Sequence, residues 1–224
     1  MYAGVAQLPL IGGHPALDLI NTVEPREPVP DARPHDHIVG PADLLRWAGR
    51  AGLVERDEAP LVEQAWARDG AAAGTALVAT RQIREATYAA LLASMELVPP
   101  DSPATLAALE QLHLRWTAAM GRSALAPGDD RTLARLTIGN APALLVPDRA
   151  ANAAVELLRT ADPARLRACP VPDGGCGWVF LDRSRNHSRR WCQMADCGTQ
   201  VKARRLTERR RSARRSGTSL ASDD

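Results

Sequence analysis

Aromatic side chains are scarce in this chain, with one Phe, two Tyr and five Trp among 224 residues. Sheet cores draw on aromatic and β-branched side chains, so their shortage, beside abundant Ala and Leu, favours helices. Cysteine is rarer still: there are four, all between positions 169 and 197. No stretch approaches the roughly 18 apolar residues of a membrane helix. The first ten residues lack a basic segment followed by an apolar run, so no secretory signal is expected. The chain therefore reads as a cytoplasmic protein, in a compartment where thiols stay reduced and clustered cysteines point to metal. No Ser/His/Asp set, phosphate-binding loop or paired-carboxylate motif stands out, so the expectation is that it is not an enzyme. No internal repeat is visible.

Charge is unevenly spread. Over residues 182–215, twelve basic residues oppose three acidic ones, a net of +9. The whole chain carries only +2, which leaves −7 on the remainder. A basic end on an acidic body is a layout suited to binding a polyanion.

Apolar spacing predicts a mostly helical body. Pro15 opens a short helix carrying Leu17, Ile20 and Val23. Further helices are predicted over residues 41–53, 57–68, 75–97, 101–120 and 148–160. Their predicted inner positions include Leu44, Leu45, Trp47 and Ala48, then Leu77, Ile83, Ala86, Leu91 and Met95. Leu106, Leu109, Leu112 and Trp116 follow, and then Ala151, Ala154, Val155 and Leu158. Residues 133–138 and 143–146 are read as strands of a small sheet. His14, Asp18 and Asn21 fall near one helical turn. They are candidates for a ligand or partner site, or for capping and hydrogen bonding to nearby loops. The His35-Asp36-His37 cluster is read as a polar loop, and His113 as a packing residue.

The cysteines carry the sharpest signal. Cys169, Cys176, Cys192 and Cys197 follow the pattern Cys-x6-Cys, fifteen residues, Cys-x4-Cys. Four thiolates fill the tetrahedral shell of zinc and leave no position for water, so one structural rather than catalytic Zn2+ is expected. Residues 172–175, Pro-Asp-Gly-Gly, permit a tight turn before Cys176. Residues 178–181 resemble a strand that returns at 189–192, and Cys197 sits at the start of a helix. The expected shape is a treble-clef-like module. His187, amid polar neighbours, is set aside as a ligand.

The arginines around this frame are candidate nucleic-acid contacts: Arg183, Arg185, Arg189 and Arg190 in the turn and returning strand, and Lys202, Arg204, Arg205 and Arg209 on the following helix. Guanidinium forks match phosphate oxygens and guanine edges. Trp178, Phe180 and Trp191 read as core of the module rather than as platforms for stacked bases. The alternative is a protein-interaction adaptor whose basic module grips an acidic partner.

Residues 176–186, Cys-Gly-Trp-Val-Phe-Leu-Asp-Arg-Ser-Arg-Asn, with Ser188 to Met194, Cys197-Gly198 and Lys202-Ala203-Arg204, closely resemble the CGNR-type zinc finger. Residues 12–22, Gly-Gly-His-Pro-Ala-Leu-Asp-Leu-Ile-Asn-Thr, resemble the opening of the ABATE domain, which accompanies that finger in bacterial proteins. The resemblance implies a stress-induced bacterial transcription regulator with the four cysteines as zinc ligands and the finger on DNA. At the signature itself this chain has Thr199-Gln200 where the family has Asn-Arg, which removes one cation and bears on base preference. The resulting expectation is mainly α with a small β component: an ABATE-like helical domain over 1–163, a zinc finger over 164–215 and a disordered tail over 216–224. The expected partners are DNA, a second copy of the chain, and a small-molecule or protein signal.

Overall fold

The computed structural model describes residues 2, 4–26, 33–128, 132–199, 201–203 and 206–207. Helix α1 (Pro15–Ile20) begins at a proline, whose missing N–H is harmless in a first turn. Its residues from Ala16 to Ile20 are all buried, so it runs through the interior rather than over the surface. Strands β1 (Val23–Glu24) and β2 (His35–Asp36) then pair antiparallel, with Glu24 opposite His35. Helices α2 (Pro41–Arg50), α3 (Ala59–Arg68), α4 (Gly70–Ser94) and α5 (Pro103–Met120) follow. A hairpin of β3 (Ala124–Pro127) and β4 (Ala134–Thr137) leads to α6 (Leu145–Thr160).

Helix α4 is central: α1, α2, α3, α5 and α6 all pack against it. One apolar cluster joins Leu17, Ile20, Trp47, Ile83, Leu91, Leu112 and Leu157. Trp47, Ile83, Leu17 and Ile20 are wholly withdrawn from water. Ionic clamps tie the long connections to this core. Arg84 donates two bonds to Asp36, at 2.9 and 2.8 Å, and a third to the Thr22 hydroxyl. Arg122 grips the buried Asp148 in the same bidentate way. No helix among the described residues is long and apolar enough to cross a membrane.

The predicted strand at 143–146 is not one. Pro142–Leu144 forms a 3-10 turn, and Leu145 and Val146 begin α6, where both are buried. Four apolar residues in a row fit a strand or a buried helix start equally well; Pro142 and the core beneath decide for the helix. The face of α5 also differs from prediction. Leu106 and Leu109 are exposed and Trp116 is half-buried, while Thr105, Ala108, Leu112 and Ala119 point inward. This face of α5 packs against α4 and α6.

The C-terminal module begins with β5 (Leu166–Ala168), which pairs antiparallel with β6 (Val179–Leu181). The predicted partner of β6, residues 189–192, forms no strand. The β5 segment precedes Cys169 directly and takes that edge first. Residues Met194–Gly198 form one π-helical turn, with helical residues at 201–203 beyond it. The predicted tail at 216–224 lies outside the described residues.

Candidate metal centre and its basic surface

The Cys169–Cys176 loop folds as a tight knuckle. The Cys169 amide donates to the Trp178 carbonyl at 2.8 Å, and the Gly177 amide returns to the Cys169 carbonyl at 3.1 Å. Between them, the Gly174 and Gly175 amides close on Val171 and Pro170. Gly175 is required by space: a Cβ there would lie 2.7 Å from the Cys169 sulfur. The second pair, Cys192 and Cys197, spans the π turn, whose Gly198 amide donates to the Gln193 carbonyl at 3.3 Å.

These two loops bring all four sulfurs within 4.8 Å of one another, and all four cysteines are buried. Cys176 and Cys192 sulfurs are 3.5 Å apart, and Cys192 and Cys197 3.6 Å. Disulfide sulfurs would lie about 2 Å apart. A tetrahedral zinc with bonds of about 2.3 Å sets its sulfurs about 3.8 Å apart, close to the 3.5 and 3.6 Å of these two pairs. The donor set thus fits zinc, held by Cys169, Cys176, Cys192 and Cys197. Hydrogen bonds from Cys176, Cys192 and Cys197 stabilise a thiolate at Cys169, and the bond to Cys169 in turn pushes the Cys176 thiol up. Four buried thiolates therefore need a cation to ionise together. His187 is not in this group; it lies exposed with φ of 50°.

Around the sulfurs, Leu8, Trp178, Phe180, Trp191 and Val201 form a small second core, with Tyr2 and Ile11 against it. Leu8, Tyr2 and Ile11 come from the N-terminal segment, so the module's core is completed from the other end of the chain. The free edge of β6 is filled the same way. Asn21 donates to the Val179 carbonyl at 2.8 Å and accepts the Val179 amide at 2.9 Å. A side-chain amide presents an N–H donor and a C=O acceptor side by side, as the N–H and C=O of one strand residue are, so Asn21 substitutes for a neighbouring strand. The Leu181 amide continues the pattern onto the Gly12 carbonyl, Trp178 Nε1 donates to the Val23 carbonyl, and the Arg26 amide donates to the Cys176 carbonyl.

The three predicted N-terminal candidates thus have separate contacts. His14 caps α1 by accepting the Ala16 amide through Nδ1 at 3.3 Å. Burial lowers its pKa. Asp18 accepts the Gly12 amide at 2.8 Å, and burial pushes its carboxyl up to about 6. Asn21 joins body to module.

The basic residues divide by role. Arg189 is engaged internally: it donates to the Trp191 and Cys192 carbonyls, and its guanidinium lies 4.2 Å above the Phe180 ring. Arg190 pairs with Asp173 at 2.5 Å. Arg183 is exposed and donates to the Gly13 carbonyl at 2.7 Å. Arg185 and Lys202 are exposed and form no ion pair among the described residues. Arg204, Arg205 and Arg209 lie outside the described residues, as does Gln200. Thr199 donates its hydroxyl to the Met194 carbonyl at 3.0 Å, closing the π turn where the family pattern has Asn.

Sequence reasoning did not isolate Asp182. This buried carboxylate accepts the Ser184 and Arg189 amides at 2.8 and 2.9 Å and so shapes the arginine turn. Its hydrogen bonds, led by that from the Ser184 side chain, hold its pKa below the usual carboxylate range. The only available signal was Asp followed two residues later by Ser, a common turn pattern.

Comparisons with known proteins agree with this geometry. The family model described as CGNR zinc finger matches residues 165–210, which contain the four cysteines and the arginine turn. A search of curated proteins finds no match. The model of the ABATE family, described as "Putative stress-induced transcription regulator", matches residues 13–161, well over half of the chain. The chain therefore belongs to the ABATE family and carries a CGNR zinc finger at its C-terminal side.

Proposed function

We propose that this protein is a DNA-binding transcription regulator whose zinc module presents cations to duplex DNA. In the same reading, the helical domain senses a signal or mediates association. The observation that carries this is the division among the arginines. Arg189 is engaged in building the module, whereas Arg183, Arg185, Arg190 and Lys202 remain exposed beside it. A metal-organised frame with cations turned outward suits phosphate contacts. The basic segment's net of +9 against an acidic remainder supports the same reading. The role in stress follows from the family description. One zinc per chain is part of the proposal, and its four thiolates leave no coordination position for a substrate, so the protein is not an enzyme in this reading.

The test is fluorescence anisotropy of the full-length chain with duplex DNA across a salt series. Affinity should fall steeply with salt, and Arg185→Ala or Lys202→Ala should each reduce the slope of log K against log salt by about one. Both side chains are exposed, so stability should not change. Absence of binding, or binding that ignores salt, would reject the proposal.

A further inference from the structure

Away from the cysteines, a cleft of about 650 Å³ lies between the start of α1, the turn after α2, strand β4 and the outward side of α6. That volume suits a small organic molecule. Its wall is partly fixed and partly unanswered. Arg149 is fixed: it donates to Glu58, to the Leu53 carbonyl at 2.8 Å and to the Ile138 carbonyl at 3.1 Å. Glu55, Glu156 and Arg135 also line the cleft, yet their side chains make no ion pair among the described residues. His14 uses Nδ1 to accept the Ala16 amide, so its neutral ring carries the remaining proton on Nε2 as a free donor. Asn152 uses its oxygen to accept Trp116 Nε1 at 3.3 Å, which leaves its amide hydrogens available.

We infer that this cleft is a binding site for a small zwitterion of the amino-acid type. The chemistry is complementary. Glu55 and Glu156 answer an ammonium group, Arg135 answers a carboxylate, His14 and Asn152 add donors to the same lining, and Leu53 and Leu136 offer apolar surface to a side chain. A simple anion would leave two carboxylates facing it, and a simple cation would leave the guanidinium unanswered.

The site also adjoins the zinc module. His14 is next to Gly13, whose carbonyl accepts from Arg183, and the Gly12 carbonyl accepts the Leu181 amide. Gly13 has φ of +80°, and a Cβ there would lie 3.6 Å from the Arg183 guanidinium. A ligand that fixes His14 therefore steadies the two carbonyls on which Arg183 and β6 rest. The regulatory meaning of this link rests on the DNA-binding reading, whereas the site itself does not.

The experiment is calorimetric titration of the full-length, zinc-loaded chain with an equimolar mixture of the twenty L-amino acids, then with each singly. Saturable binding is expected. Arg135→Ala and Glu156→Gln change exposed side chains and should keep the zinc content and melting temperature of the parent, yet each should weaken binding by about tenfold, the scale of one lost ion pair in a part-shielded site. The N-acetyl and amide derivatives of the best amino acid should weaken equally. Absence of saturable binding by the parent, or unchanged binding by both variants, would overturn the site. Hydrogen exchange at the Leu181 amide should slow when ligand is bound, and an unchanged rate would overturn the link. Duplex DNA binding is scored on the same samples. Loss of DNA binding with ligand binding intact rejects the DNA reading alone, and the reverse result rejects the cleft alone.

Discussion

Helix α4 buries Ile83, Ala86 and Leu91 among neighbouring helices, whereas the zinc module buries four sulfurs and three aromatic rings around them. The first arrangement is stabilised by apolar area removed from water, which grows with the size of the core. The second has too few apolar side chains to fold on that basis, and the metal supplies what the core does not. The two differ again in their edges. The body clamps its long connections with Arg84–Asp36 and Arg122–Asp148, while the module's free strand edge is completed by Asn21 and Gly12 from the body. The teaching of the contrast is that the module is organised from within by zinc and from without by the body's first helix.

The comparison can be broken at its strongest point by Ile83→Ala. This opens a cavity in the core, with a cost of about 4 kcal/mol. Urea unfolding should shift to lower denaturant, while folded protein keeps its zinc. Folded Ile83→Ala protein that lacked metal would show that the body, and not the thiolates, sets up the centre. Asn21→Ala acts on the junction instead. It leaves the buried Val179 amide and carbonyl without these partners, with an expected cost of about 3 kcal/mol. Exchange protection should fall in β6 more than in α5. Equal loss in both would remove the distinction between junction and body.

Arg189→Ala is expected to cost about 2 kcal/mol, through lost hydrogen bonds and the lost contact with Phe180. Chelators should then extract zinc faster. Arg185→Ala should leave that extraction rate alone, and identical rates in the two variants would refute the division of the arginines into frame and surface.

The smallest effect concerns Asp18. Its buried carboxyl has its pKa raised to about 6 from an ordinary 3.8, so the folded chain binds that proton more tightly than the unfolded chain. Its contribution to stability is fully present below about pH 4 and is lost as pH rises through 6. Asp18→Asn removes the buried charge and keeps an acceptor for Gly12 but gives up one for Ile11, and this lost bond offsets only part of the relief, so the variant should be at least as stable as the parent at pH 7. The pH dependence of the urea midpoint between 4 and 6 should flatten. The same slope in parent and variant would contradict the assignment.

The two regions were also unequally legible in sequence. Periodicity located α2, α4 and α6 because each has a long buried stripe. On α5 it placed Leu112 correctly but turned Leu106 and Leu109 inward, where Thr105, Ala108 and Ala119 face the core instead. In the module, cysteine spacing alone marked the four residues whose sulfurs the fold gathers into one cluster. The strand pairing did not follow, since β6 could match either flanking segment and only the knuckle geometry favours β5. Asn21 and Gly12 were the least legible, because their partners lie more than 150 residues away and no local pattern encodes such a bond. The arginines were visible as charge, but a sequence does not show which guanidinium turns inward toward Cys192.

The central claim is that buried thiolates hold a zinc ion that organises the module on the body. Metal analysis of the full-length chain, with hydrogen exchange before and after chelation, tests it most directly. The account predicts about one zinc per chain, and chelation that erases protection across β5 and β6 while α4 stays protected. A metal-free chain whose β5 and β6 amides remain fully protected would contradict it.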